Sequence, residues 1–368
     1  MTRTSPRWRW LVAVVVMLGV TAAACGSSTS KSDSSSTTSG GGSSKELPAA
    51  TITGSGSTFQ AAYNNEVIQA FKPVQPNLTV VYPPTNSGGS GKGQTDLQAE
   101  LVEFAGSDGV PKEADLPLYQ GGELLYFPTV AGPITVSYNV AGVDKLKLDG
   151  DVIAKIFQGQ ITKWNDPAIA GLNSGVDLPD ADIVAVHRSE SSGTTANFTK
   201  YLTLAAPTTW TLGTDKTIAW TGGQAAEGNG GVTNAVKSTP NSIGYIDYSD
   251  AKAAGLSFAS IKNKDGKYVA PSTASASAAV AGATINPDLS YDPIYAPGAD
   301  SYAITAPTYI LIYKNQTDAA IGNGMKAFLA FIYGDGQQIA TTIDYAPLSS
   351  DLLGKAKAQL DDIVIPAS

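Results

Sequence analysis

One histidine, His187, and one cysteine, Cys25, are all that 368 residues contain of the two side chains most used in zinc sites. A lone cysteine closes no intramolecular disulfide, and one His with one Cys cannot assemble a His/Cys zinc centre. No metal and no cofactor is therefore expected. Positive charge is also scarce, with 24 Lys+Arg against 32 Asp+Glu and a formal charge of −8 at pH 7. That deficit argues against nucleic acid or an anionic lipid surface as partner. The one long apolar run, Leu11 to Val20, is too short and wrongly flanked for a permanent membrane span. No internal repeat of solenoid period is visible.

The N-terminal segment reads as a processing signal. Arg3, Arg7 and Arg9 precede the apolar run, and Thr21-Ala22-Ala23-Ala24 lead into Cys25, so residues 1–24 are expected to be an export signal. The position of Cys25 resembles a bacterial lipoprotein cleavage site, which implies a lipid-bearing first residue and a membrane anchor on the extracytoplasmic side. Ala22 stands where such sites more often carry leucine, and ordinary secretion with cleavage near Ala24 is the alternative. From Gly26 to about Lys45 the chain is nearly all Ser, Gly and Thr, too polar to offset the entropy of ordering; residues 25–48 are read as the lipidated cysteine and a flexible tether. Without the three leader arginines, 21 Lys+Arg remain against 32 Asp+Glu. Any anion site must then work by local geometry, since long-range attraction points the wrong way.

About 320 residues remain, too many for one ordinary core and suited to two lobes. Short apolar strands alternate with amphipathic helices, the pattern of an α/β protein. Thr51-Ile52-Thr53 leads through Gly54-Ser55-Gly56-Ser57-Thr58 to a helix with Tyr63, Val67, Ala70 and Phe71 on one face. A strand over Leu78 to Tyr82 ends at Pro83-Pro84, and after the loop Thr85 to Gly93 a helix is expected from Gln94 to about Val102. Val152, Ile153, Ile156 and Phe157 form a stripe that stops at Gly159, a plausible C-cap. Ile243 to Ile246 and Tyr309 to Tyr313 read as strands, and Ile321, Met325, Phe328, Leu329 and Ile332 share a helix face. The Ser/Ala/Thr-rich run Pro271 to Ala283 is open between surface helix and loop.

Arg188-Ser-Glu-Ser-Ser-Gly-Thr-Thr195 follows the apolar run Ile183-Val184-Ala185-Val186. A strand that stops at a guanidinium and re-enters a helix through small hydroxyl residues aims hydroxyls, free N–H groups and a fixed positive charge at one spot. Such a spot suits an oxyanion, with Arg188 offering a planar fork and Ser192, Gly193 and Thr194 donating from a first helical turn. Three other turns share this character. They are Ser57-Thr58-Phe59, with Thr58 as a natural N-cap; Ser87-Gly88-Gly89-Ser90-Gly91-Lys92-Gly93, whose glycines permit close backbone approach; and Phe104-Ala105-Gly106-Ser107-Asp108. Asp108 fits an anion site only if the ligand carries a proton to donate to it. A proton-free oxyanion would oppose acceptor to acceptor, at roughly 1–3 kcal/mol or more, and so be rejected.

In order and nearly over the whole mature chain, these loops resemble the binding loops of the phosphate-binding component of the bacterial phosphate ABC importer, the PstS type of the periplasmic-binding-protein superfamily. The resemblance also takes in Ile161-Thr-Lys-Trp164 with Asn-Asp-Pro167, and Ser242-Ile-Gly-Tyr245. It implies a two-lobed, type II fold with a hinge of two crossing strands: lobe I over 49–138 plus 304–368, lobe II over 139–303, with crossings near Tyr138-Asn139 and Ala303-Ile304. It implies phosphate contacts at Thr58, Phe59 through its backbone N–H, Ser90, Asp108, Arg188, Ser192, Gly193 and Thr194. Ser87 competes with Ser90; Ser90 keeps the spacing to Asp108. Glu190, where the family often has aspartate, is expected to hold the Arg188 guanidinium. The function implied is capture of inorganic phosphate and delivery to membrane permease subunits by a monomeric, non-enzymatic receptor.

Plainer readings compete. Arg188 could be a surface partner of Glu190, Asp108 a turn residue, Lys92 solvated, His187 a strand end without chemistry, and Trp164 and Tyr245 packing residues. Gly54-Ser-Gly-Ser lacks the Lys-Ser/Thr ending of a nucleotide phosphate loop. An exported phosphohydrolase would need a nucleophile with its base, or a metal centre, and neither is visible. A non-transport sensor or adhesin on the same fold is the other alternative.

Overall fold

The computed structural model describes residues 46–83 and 88–367. The expected leader, Cys25, the tether up to Lys45 and Ser87 lie outside the described residues. Leu47 already belongs to the folded body, its N–H donating to Gln75 Oε1 at 3.0 Å.

Strands and helices alternate from the start: β1 (Ala50–Gly56), α1 (Ala61–Phe71), β2 (Leu78–Val81), α2 (Gly89–Gln98), β3 (Phe104–Ser107) and the long β4 (Leu124–Asn139). The middle of the chain forms β5 (Lys147–Leu148), α3 (Gly150–Phe157), α4 (Pro167–Leu172), β6 (Val184–Arg188), α5 (Gly193–Ala205), β7 (Gln224–Ala226), α6 (Gly228–Ser238), β8 (Ser242–Asp247) and α7 (Tyr248–Ala253). Then come β9 (Ser257–Phe258), β10 (Ser260–Lys262), β11 (Tyr268–Val269), α8 (Thr273–Ala281), β12 (Thr305–Tyr313), α9 (Ala319–Ile332), α10 (Asp335–Thr342) and α11 (Ser350–Gln359).

The main sheet runs β2-β1-β3-β12-β4-β8-β6-β7, with β9 also on β4. Its two ends are parallel, β1 between β2 and β3 and β6 between β7 and β8. The antiparallel strands β12 and β4 join them. β4 serves both halves: it pairs with β12 as far as Pro133 and with β8 from Ile134 onward. Its change of partner therefore falls upstream of Tyr138-Asn139, which pair with Ile243 and Ser242 inside the second half. Close by, the Ile134 N–H donates to the Ile304 carbonyl at 2.8 Å, tying the two connecting segments side by side. Both β4 and β12 are buried along almost their whole length, as strands covered on both faces should be.

The apolar stripes read from the sequence form the core. α1 buries Tyr63, Val67 and Phe71, and α9 buries Met325, Phe328, Leu329 and Ile332; Phe71 meets Phe328 with ring centroids 5.4 Å apart. Gly159, at φ 71°, follows the end of α3 where a C-cap was expected. The open run Pro271 to Ala283 is helical over α8. A Ser272/Ser275 capping box starts that helix, and Ala276, Ala279 and Val280 are buried.

Candidate functional site

The carboxyl ends of β1, β3 and β6 open into three of the four turns that the sequence singled out, the place where open α/β sheets collect ligands. Three helices begin beside them: α2 with Ser90, α5 with Gly193 and Thr194, and α6 with Asn229. Glycine permits the crowding. A Cβ on Gly93 would fall 2.7 Å from the Gly56 Cα and 3.0 Å from the Gly106 carbonyl oxygen, so only bare backbone lets α2 lie against β1 and β3.

Arg188 is 3% exposed and joins the two halves of the sheet. Its Nη2 donates to Thr58 Oγ1 at 2.9 Å and its Nη1 to Thr194 Oγ1 at 3.0 Å. Glu190 Oε1 accepts from Nε at 2.8 Å and also from Nη2, and it takes the Gly228 N–H at 3.2 Å. Arg188 is thus no surface arginine, and Glu190 fixes the guanidinium plane while leaving its outer edge to hydroxyls. The backbone N–H of Arg188 donates to Tyr245 Oη at 3.0 Å.

Asp108 is 3% exposed. Its Oδ1 accepts from Ser57 Oγ at 2.5 Å and Thr308 Oγ1 at 2.9 Å, while among the described residues Oδ2 accepts only from Ser90 Oγ, at 3.2 Å. One oxygen is saturated and the other retains acceptor capacity. Burial pushes the carboxyl up to about 6, against the opposing pull of the Ser57 and Thr308 hydroxyls, the Arg188 charge and the Ser90 hydroxyl. It remains ionised at neutral pH.

Gly193 brings the Arg188 turn onto the Asp108 turn. A Cβ there would lie 2.2 Å from Ser90 Oγ and 2.6 Å from Asp108 Oδ2. The halves are closed on one another around this point: the Gly91 N–H donates to the Ser191 carbonyl at 2.9 Å, Asn197 Nδ2 to the Asp108 carbonyl at 2.6 Å, and Lys112 pairs with Asp215 at 2.7 Å. Thr58, Ser90, Asp108, Arg188, Gly193 and Thr194 therefore share one buried cluster.

Several details differ from expectation. Thr58 does not cap α1, whose N-cap is Gln60; its hydroxyl is turned to Arg188 and Asn229 instead. α2 starts at Gly89 rather than Gln94, because the glycines of that run form its first turn against Ser191. Ser192 is the N-cap of α5, its Oγ accepting from the Thr195 N–H at 3.1 Å, and its own N–H is taken by the Lys216 carbonyl. What it retains toward the cluster is the hydroxyl proton. The Phe59 N–H donates to Ser57 Oγ at 3.0 Å. Lys92 pairs with Asp96 at the surface, and His187 stacks on Trp220 at 5.0 Å.

Three contributors were given no role in the site from the sequence. Asn229 Nδ2 reaches Thr58 Oγ1 at 3.1 Å and Thr194 Oγ1 at 3.3 Å. Ser57 supplies the short bond to Asp108. Tyr245, read as packing, also holds Arg188 through its hydroxyl. Asn229 could have been found, since Gly228-Asn229-Gly230-Gly231 is a further small-polar helix start; Tyr245 sits mid-strand with no such signal.

Comparison with known proteins identifies the family. The family model described as a PBP superfamily domain matches residues 31–335. The phosphate-binding protein PstS of Pasteurella multocida is 38% identical over 317 residues, covering 84% of this chain and 90% of that protein. PstS 3 of Mycobacterium leprae is 38% identical over 308 residues, covering 81% and 83%. Among solved structures, the high-affinity periplasmic phosphate-binding protein PfluDING, bound with phosphate, superposes with a TM-score of 0.69 at 22% identity, covering 84% of this chain and 94% of that one. A phosphate-binding protein from Stenotrophomonas maltophilia gives 0.67 at 22% identity, with the same coverage. The fold is thus the two-lobed periplasmic-binding-protein fold, and the chain belongs to the PstS family of phosphate-binding proteins within the PBP superfamily.

Proposed function

We propose that the chain is an extracytoplasmic receptor that captures inorganic phosphate between two lobes and delivers it to the permease subunits of an ABC importer. The observation that carries this reading is the convergence of one guanidinium, several hydroxyls and one half-satisfied carboxylate from opposite halves of the sheet. Thr58, the Phe59 N–H, Ser90, Arg188, Ser192, Gly193 and Thr194 donate to the phosphate oxygens. Asp108 Oδ2 accepts the proton that monohydrogen phosphate retains. Where the ion binds, it takes over the hydroxyl and guanidinium hydrogen bonds that now run between these side chains, and so holds the lobes together. The lobes meet at the partner change of β4 and beside Ile304, the natural place for hinge rotation.

The charge balance supports a site built from dipoles. Arg188 is already offset by Glu190, so the anion is held by directed donors and three helix N-termini more than by net charge. Such a receptor needs no catalytic residue. We further infer that Cys25 carries the lipid anchor and that the receptor acts as a monomer. Membrane retention lost on Cys25→Ala, with the protein appearing in the medium, tests the anchor.

The deciding experiment for function is isothermal calorimetry of the purified protein with phosphate and with sulfate. Tight phosphate binding, absent sulfate heat and a Kd that changes little with added NaCl are expected. Phosphate affinity that collapses in modest salt, or turnover of phosphate esters, would overturn the reading.

A further inference from the structure

Behind the Phe59 turn lies a buried carboxyl that takes no part in the site described above. Asp247 ends β8, directly opposite Ile134, where β4 changes partner. It is 1% exposed, and Tyr345, in the segment after α10, is fully buried. Tyr345 Oη lies 2.6 Å from the Phe59 carbonyl oxygen and 2.7 Å from Asp247 Oδ2. A phenol has one proton and a backbone carbonyl can only accept. If Tyr345 gave its proton to an ionised Asp247, two oxygen acceptors would face each other at 2.6 Å. The arrangement is satisfied only when Tyr345 donates to Phe59 and Asp247 donates to Tyr345.

The surroundings favour that proton. Asp247 Oδ1 accepts from the Ser249 N–H at 3.2 Å, and its own N–H donates to Asn229 Oδ1 at 3.0 Å. No cation bonds its carboxyl among the described residues. On α7, Asp250 raises it further and Lys252 is engaged by Asp344 at 2.7 Å; Asp108 at the end of β3 adds a second like charge, and the Arg188 guanidinium on β6 acts on Asp108 and Asp250. Burial is the largest cause holding Asp247 well above the usual carboxylate range.

We infer that Asp247 carries a proton in the closed arrangement and that phosphate capture draws this proton in from solvent, with Asp247 and Tyr345 as positioning residues that hold the Phe59 turn from the opposite half of the sheet. The inference rests on the phosphate-receptor reading, because it ties the proton to closure of that site. Opening would part Tyr345 from Asp247 and return the carboxyl to water, where it ionises. Closing restores the relay from Asp247 through Tyr345 to the Phe59 carbonyl.

The test is calorimetry of phosphate binding at about pH 8 in two buffers of different protonation enthalpy, which counts the protons taken up. Wild type is expected to take up more protons per phosphate than Asp247→Asn, by as much as about one, since the phosphate's own proton exchange cancels in the difference. Asparagine can donate to Tyr345 as the protonated acid does and needs no proton from solvent, so Asp247→Asn should bind tighter than wild type near pH 6 and by a margin that widens, by up to about tenfold per pH unit, toward pH 9. Asp247→Ala should bind weakly throughout. Should the alanine variant fail to fold, infrared spectra of phosphate-bound wild type at about pH 8 read the same proton as a protonated-carboxyl band missing from Asp247→Asn. Equal proton numbers in wild type and Asp247→Asn, or no such band, overturn the inference while leaving the receptor reading intact. Absence of any phosphate heat from wild type instead counts against the receptor reading.

Discussion

Arg188 Nη2 donates to the Thr58 hydroxyl at 2.9 Å, across 130 residues of chain and between two halves of one sheet. The same guanidinium reaches Thr194 through Nη1 and Glu190 through Nε, so its planar fork is used on three sides. A lysine ammonium has the charge without that fork. Arg188→Ala is expected to weaken phosphate binding by roughly 3–5 kcal/mol, as breaking a buried charge-assisted contact does. Arg188→Lys should recover only a small part of the loss. Calorimetric affinities check this, and a lysine variant equal to wild type would show that charge alone matters.

Discrimination against sulfate should depend on pH, with its midpoint set by Asp108. Burial holds this carboxyl at about 6. Above that value Asp108 is ionised and can only accept, so monohydrogen phosphate is matched and sulfate is opposed. Below it, a protonated Asp108 can donate to a sulfate oxygen. Competition titrations should therefore show phosphate-over-sulfate preference falling as pH drops through about 6 in wild type. In Asp108→Asn, which always has a donor, preference should be low at every pH. A flat wild-type profile would remove Asp108 from the selectivity account.

The same carboxyl costs stability when no ligand is bound. The unfolded chain releases its proton near the ordinary value of 3.8, whereas the folded chain keeps it to about 6. Stability contributed by this group is thus lost as pH rises between those two values and is constant above. The gap corresponds to about 3 kcal/mol. Asp108→Asn should raise the urea midpoint of the ligand-free protein at pH 7 and make little difference near pH 4. An effect of equal size at both pH values would contradict this origin.

Gly193 has no room for a side chain only while the two halves are closed, since the obstructing atoms, Ser90 Oγ and Asp108 Oδ2, belong to the facing half. Gly193→Ala should therefore act on closure and leave folding nearly intact. Overpacking typically costs about 1–3 kcal/mol, a loss of roughly 5- to 150-fold in phosphate affinity. Solution scattering should show the variant failing to compact when phosphate is added. A variant that compacts and binds normally would mean that the Gly193 approach is not needed for capture.

Much of this architecture was legible because local chemistry and tertiary role coincide in it. The stripe through Tyr63, Val67 and Phe71 packs as its spacing foretold, and the small-polar turns after β1, β3 and β6 do meet. Where the two separate, the sequence misled. Thr58 has the residue type of an N-cap, yet a distant guanidinium competes for its hydroxyl and wins. The glycines from Gly88 to Gly93 look like a loop by composition, but Gly91 and Gly93 are small because Ser191 and Gly56 press against them, and the segment is helical. The partner change of β4 does leave a mark, Gly132-Pro133 within the strand, but such a pair reads only as an interruption and does not tell that one strand goes on to serve a second half.

Tyr245 is the sharpest case of a role that composition conceals. Its ring stacks on Phe198 with centroids 4.4 Å apart and meets Phe157 at 5.8 Å, which satisfies the packing reading. Its hydroxyl, 2.7 Å from Thr195 Oγ1, also accepts the Arg188 N–H. Tyr245→Phe preserves the aromatic contacts and deletes the hydroxyl, leaving the buried Arg188 N–H without its acceptor and Thr195 Oγ1 without its tyrosine partner. The expected cost is about 1–3 kcal/mol of folding stability, read from a denaturant midpoint. Phosphate affinity should fall too, by less than in Arg188→Ala, because the guanidinium keeps its Glu190 support while its backbone loses its anchor. A phenylalanine variant as stable as wild type would return Tyr245 to packing alone.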